Sequence, residues 1–266
     1  MLIETVQSRS PIKVQFDVIV ALYKRELKTR FGVYRLGWLW AILEPLLFVS
    51  VLSIMFDLRG KTNGLGNAEF PVFVMTGIVP LLLFRNGVKS GLGAVQANKG
   101  LFSYPMVRPF SSILARLILE FSIYLSVLVI LSSGFTWLGY QAVPTDLPKV
   151  TASLLSVTFL AWGVGLILCA VRCYMESITK VWAVVTMPLM IISGAVVPIL
   201  QIVPSNYHHW LTWNPVLHAL ELLRQGWIEQ YPIYVDGFSF LLLSALSVMF
   251  VGMVLYRLNW QKMVSS

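Results

Sequence analysis

The chain has 266 residues, 57% of them hydrophobic and only 12% charged, with a mean hydropathy of +0.76. One soluble core of this length needs far less apolar surface, so a soluble globular fold is excluded and a bilayer is the expected solvent. The formal charge of +8 then reads as membrane topology and contact with anionic headgroups, not as nucleic-acid binding.

Residues 1–35 are polar and amphipathic, with no apolar core ahead of a small-residue cleavage site, so the first span is expected to direct insertion. Ser10 and Pro11 suit an N-cap and a first helical position. Phe16, Ile19, Val20, Tyr23 and Leu27 then recur at helical spacing opposite Asp17, Lys24, Arg25 and Lys28. A basic amphipathic helix beside a span lies in the headgroup plane, so residues 14–30 are predicted to form an interfacial helix.

Runs nearly free of charge follow at 36–56, 70–88, 113–137, 150–171, 181–200 and 238–256. Each approaches the roughly 20 residues that cross a hydrocarbon core of about 30 Å. The loop at 89–112 is basic and is expected to carry a short helix at 92–100 that presents Gln96, Asn98 and Lys99. Cys169 and Cys173, one turn apart, read as buried thiols. Pro188, Pro198, Pro204 and Pro215 break the uncharged stretch 181–220, so one span should end near residue 200. The apolar segment 201–238, with Glu221, Arg224 and Glu229, is expected to dip back as two short re-entrant helices and not to cross.

Sixteen of the 20 Lys and Arg residues fall in the N-terminal segment, the second and fourth loops and the tail, with Arg85 and Arg116 counted at the borders of the second loop. Basic residues accumulate on the cytoplasmic side, so both termini are placed there. The predicted fold is an all-α integral membrane protein with six transmembrane helices. It is a single domain over 1–266: a cytoplasmic N-terminus to residue 35, a membrane domain over 36–256 and a tail over 257–266.

No phosphate-binding loop or dinucleotide fingerprint is present, so no ATPase is encoded. His208, His209 and His218 would suit a membrane acyltransferase, but no serine or carboxylate stands at a supporting spacing, and interfacial polar residues is the simpler reading. Glu44 and Glu120 lie inside predicted spans, where a carboxylate is costly; structural pairing is favoured over a proton relay. Phe31, Tyr34 and Trp38 share one face near Arg30 and Arg35, with Trp40 on another, a set of planes and guanidinium groups suited to acidic sugars. Tyr207, Trp210 and Trp213 recur every third residue farther on, as do belts of interfacial aromatics.

The run KTRFGVYRLGWLWAILEPLL (28–47), with its basic-aromatic approach and LGxLW core, resembles the start of the first span in ABC-2-type permeases that export polysaccharides. YPMVRP (104–109), SGAVVPI (193–199) and WNPVLHALELLRQGWI (213–228) follow in that family's order, and the likeness extends to capsular polysaccharide export permeases. The resemblance implies a bacterial inner-membrane half-transporter whose homodimer pairs with two ATPase subunits. ATP and Mg would be bound there, with no cofactor in this chain, and periplasmic or outer-membrane export proteins would take the lipid-linked, acidic polysaccharide onward. It further implies a channel contacted by Arg30, Tyr34, Arg35, Trp38 and Trp40, and an outer gate of Tyr207, Trp210 and Trp213. Coupling to the ATPase would run through Gln96, Asn98, Lys99, Arg172 and Glu176. Export of O-antigen or teichoic acid is the alternative within the family. A membrane-embedded glycan acyltransferase and a secondary transporter driven through Glu44 and Glu120 are alternatives of other classes.

Overall fold

The computed structural model describes residues 10–31, 37–57, 69–104, 106–235 and 237–265, and these contain helices and no strand. α1 (Pro11–Phe31) starts as expected, with Ser10 Oγ accepting from the Lys13 amide at 3.4 Å. α2 (Gly37–Asp57), α3 (Phe70–Ala97), α4 (Pro109–Trp137), α5 (Leu147–Arg172) and α6 (Ile178–Ile192) follow. Two one-turn helices, α7 (Ile199–Ile202) and α8 (His208–Leu211), precede α9 (Pro215–Trp227) and α10 (Phe238–Ser265). Proline begins several helices because its missing amide costs nothing in a first turn: Pro109 opens α4 and Pro215 opens α9.

Among the described residues, α3, α4, α5 and α10 are long and apolar enough to cross a membrane, while residues 39–55 of α2 and all of α6 form shorter apolar helices. α3 is the axis of the bundle, packed by α2, α4, α5, α6 and α9. Every residue from Pro71 to Leu81 is buried, which is what a helix apolar on all sides requires. α5 and α10 pack backbone to backbone: a Cβ on Gly163 would stand 2.7 Å from the Met249 nitrogen, and one on Gly252 equally close to the Gly163 carbonyl. Small residues at such crossings let membrane helices gain dispersion contacts where no hydrophobic force drives them together.

α6 is peripheral, with no fully buried residue, and is tied to α3 by the edge-on contact of Trp182 with Phe84 at 5.9 Å. It ends at Ile192, eight residues before the predicted 200. The terminator is Gly194, not Pro198. Gly194 adopts φ +66°, its amide donates to Ile191 O, and the next amide, of Ala195, donates to Met190 O, a Schellman closure.

Two further differences concern short helices. The helix expected at 92–100 is the last stretch of α3 plus a 3-10 turn at Lys99–Leu101. The segment 204–215 holds a 3-10 turn at Ser205–Tyr207 and the four-residue α8, while its neighbour at 216–229 is the regular helix α9.

The middle of α1, the 98–108 loop, the turn after α5 and the end of α10 share one end of the bundle. Tyr174 Oη donates to Asn259 Oδ1 at 2.5 Å, the Lys262 ammonium lies 3.5 Å from the Tyr174 ring centroid, and Arg25 donates to Asn98. α9 packs at the opposite end, where the Trp227 indole donates to Ala142 O at 2.8 Å.

Candidate functional site

Four polar clusters interrupt the apolar bundle. The first joins α1 to α3 and α4. Asn98, only 1% exposed, donates to Glu26 Oε1 (2.9 Å), Ala94 O (3.0 Å) and Ser112 Oγ (2.7 Å) and accepts from Arg25. Arg116 Nε donates to the same Glu26 oxygen at 2.9 Å. Burial pushes the Glu26 carboxyl up, but hydrogen bonds from Arg116 and Asn98 and the charges of Arg116 and Arg25 outweigh it and hold the group below its ordinary value. One turn farther along α1, Arg30 pairs with Glu120 at 2.5 Å, and Ser90 Oγ donates to the same carboxylate oxygen. Glu120 is therefore structurally paired, as expected for a carboxylate inside a span. Of the apolar stripe predicted for α1, Phe16 is exposed, whereas Tyr23 and Leu27 pack against the bundle core, so the second half of α1 is held to the bundle by apolar and polar groups together.

The second cluster is a recess of about 220 Å³ between α2, α3, α4 and α6. Glu44, Arg85, Asn86, Tyr124 and Thr186 meet there among Pro45, Phe48 and Met190. Asn86 donates to Tyr124 Oη, whereas Glu44 and Arg85 form no ion pair among the described residues. Arg85 is half-buried near the middle of α3, so its charge faces the recess well inside the bundle.

The third cluster gathers three residues from two distant parts of the sequence. Arg172, at the end of α5, donates to Gln96 on α3 and to Leu92 O (3.3 Å), and Glu176 lines the same recess of about 120 Å³. Asn98 is buried in the first cluster and Lys99 lies exposed in the 3-10 turn, so neither lines this recess.

The fourth cluster anchors α9. Asn214 caps it through the Val216 amide and donates to Ser193 Oγ at 2.8 Å. Arg224, 0% exposed, donates to Glu221 (2.9 Å) and to the carbonyls of Gly194 (2.8 Å) and Ala195 (3.3 Å), with its guanidinium 3.7 Å from the Phe73 ring centroid. The Schellman turn that stops α6 thus turns two carbonyls toward a buried cation. Gly77 completes the fit, since a Cβ there would stand 2.0 Å from Ala195 O. Above this anchor Tyr207, Trp210 and Trp213 are all exposed, Trp213 at 78%. His208 and His218 each place Nε2 against a backbone carbonyl, of Val203 and Thr212.

Of the residues expected at the channel, Tyr34 and Arg35 and the side chain of Trp38 lie outside the described residues. Trp40 is exposed on α2, and Arg30 is engaged by Glu120.

The family model for ABC-2 type transporters matches residues 17–228, a range that contains all four clusters. The chain belongs to the ABC-2 type transporter family. This permease is 34% identical over 260 residues to the polysialic acid transport protein KpsM of Escherichia coli, covering 97% of this chain and 100% of that one. It is 28% identical over 240 residues to the capsule polysaccharide export inner-membrane protein CtrC of Neisseria meningitidis, 90% of each chain. With BexB of Haemophilus influenzae, named likewise a capsule polysaccharide export inner-membrane protein, identity is 27% over 254 residues, 96% of this chain and 95% of the other. Family membership makes it a multi-pass transport permease and not an enzyme. Two of the motifs that carried the resemblance, SGAVVPI and WNPVLHALELLRQGWI, meet at the Arg224 anchor. Sequence reasoning missed the recess with Glu44 and Arg85. Its only signal was a second charge inside a span, Arg85, which lay close enough to a boundary to read as part of the loop.

Proposed function

We propose that this permease is the membrane subunit of an ATP-driven exporter that carries lipid-linked, acidic capsular polysaccharide across the bacterial inner membrane. The observation that carries the reading is the gathering of α1, the 98–108 loop, the turn after α5 and the end of α10 at one end. An even number of crossings, six with α2 and α6 included, gives that arrangement, and the excess of Lys and Arg in these segments puts this end in the cytoplasm. α9, 13 residues long and carrying Glu221 and Arg224, is read with α8 as the re-entrant pair on the outer side.

Two copies of the chain would pair, with two ATPase subunits holding ATP and Mg. Gln96, Arg172 and Glu176 form the recess through which motor movement enters, with Lys99 at its approach and Asn98 transmitting from within the α1 network. Arg30, Tyr34, Arg35, Trp38 and Trp40 line the path of the glycan from the cytoplasm, Arg85 offers the next cation along it, and Tyr207, Trp210 and Trp213 gate the exit toward periplasmic and outer-membrane export proteins. The names of the relatives support a capsular polymer, and polysialic acid is an acidic one. An acidic polymer matches the cations on this path.

The reading is tested by replacing Arg85 with Gln in cells that depend on this permease for surface polymer. Export is expected to fall at least tenfold while the permease still co-purifies with its ATPase. Normal surface polymer in the Arg85→Gln cells would remove the arginine from the path.

A further inference from the structure

A groove of about 780 Å³, far larger than the recesses above, opens between the 102–110 segment and the last turns of α10. It falls within the roughly 300–1,000 Å³ range of small-molecule pockets. Its wall is apolar and aromatic, with Tyr104, Phe110, Met253 and Trp260 among the lining side chains. Arg108 and Arg257 stand on opposite elements in the same lining, both exposed, and no acidic residue lines it. Arg108 also precedes the first turn of α4 with no side-chain cap on that helix, so the positive end of the α4 dipole adds to the two guanidinium groups.

We infer that this groove holds one molecule of acidic phospholipid as a resident ligand. Arg108 and Arg257 pair with its phosphate, and an acyl chain lies along Tyr104, Met253 and Trp260. Aromatic side chains favour the headgroup level, and arginine forms bidentate bonds to phosphate oxygens, so both halves of the groove match one amphiphile. A second copy of this chain, with its net charge of +8, matches two arginines less well than an anionic lipid does. The lipid would tie the 98–108 loop to α10, joining two of the segments where motor movement is proposed to enter. Assignment to the inner leaflet rests on the proposed orientation of the termini; the lipid-binding claim itself does not.

The test is native mass spectrometry of the full-length permease in mild detergent with equal amounts of phosphatidylglycerol and phosphatidylethanolamine. One phosphatidylglycerol per chain is expected, retained at least fivefold over phosphatidylethanolamine. The Arg108→Gln/Arg257→Gln variant should lose that preference, and Met253→Trp, which fills the groove and leaves both charges, should lose the bound lipid. Equal retention of the two lipids, or preference unchanged by either variant, would overturn the proposal; so would cross-linking of two copies through Tyr104→Cys inside the groove, since the occupant would then be a second chain. Accessibility of the same cysteine from outside spheroplasts reports orientation separately.

Discussion

Glu26 illustrates how a single carboxylate can hold an element in place. It accepts from both Asn98 and Arg116, so one oxygen links α1, α3 and α4. Because its pKa is held below the ordinary 4.5, its contribution is fully present above that value and is lost as pH falls through the lower, folded value. Spin labels on α1 and α4 should keep one distance from neutral pH down to 4.5 and broaden only below it. Glu26→Gln should show no acid step and lower stability by about 1–3 kcal/mol, since it weakens hydrogen bonds to a charged partner. Gly77 is a second such position: Gly77→Ala must push back the Ala195 carbonyl and the Arg224 guanidinium, so a loss of at least about 1–3 kcal/mol is expected in a thermal-shift measurement in detergent. At this scale the sequence was only partly readable. Glu26 and Arg116 are 90 residues apart, and no local pattern announces their pairing.

Among elements, the contrast between α6 and α9 is the most informative. α6 is the more apolar of the two and yet lies on the periphery, while α9, with Glu221 and Arg224, is packed against α3, α5 and α10. Hydropathy marks what tolerates lipid, not what lies deepest in the protein. The ionic pair is tolerated inside because both terminal guanidinium nitrogens find oxygens, two of them supplied by the turn that ends α6, while Arg224 Nε and Glu221 Oε2 are buried without a partner among the described residues. Arg224→Met alone should cost about 3–5 kcal/mol, because Glu221 is left buried without its cation. The Glu221→Gln/Arg224→Met double variant should recover part of that loss in the same thermal assay. Gly194→Ala should destabilise by about 1–2 kcal/mol from the left-handed backbone alone, with a further clash at Ile199. The long apolar runs made the apolar helices legible to within a few residues at most boundaries, with α3 and α10 each continuing nine residues beyond the predicted end. The end of α6 was not, because four prolines drew attention past the glycine that does the stopping. α9 was legible as an element, since Asn214 and Pro215 form a recognisable cap and first turn.

Taken whole, the two ends of the bundle differ in what they gather. One end collects α1, the connecting turns and the C-terminus, with basic residues and recesses formed by side chains far apart in sequence. The opposite end is closed by α9, with exposed aromatics above it. Such a division suits a machine driven from one side and opened on the other, with the α3 axis as the rigid element between them. The candidate coupling recess shows what sequence could and could not supply: Gln96, Arg172 and Glu176 were chosen from two separate loops, and the fold brings them together, while Asn98 from the same set turns inward to hold α1. Replacing Glu176 with Lys should uncouple the motor, leaving ATP hydrolysis by the complex largely intact while export falls severalfold. The most direct measurement reconstitutes this permease, with and without its separate ATPase, into liposomes and follows a lipid-linked acidic glycan across the bilayer. Translocation that requires both the ATPase and ATP is predicted; translocation or chemical modification of the glycan by the permease alone would contradict an ATP-driven exporter.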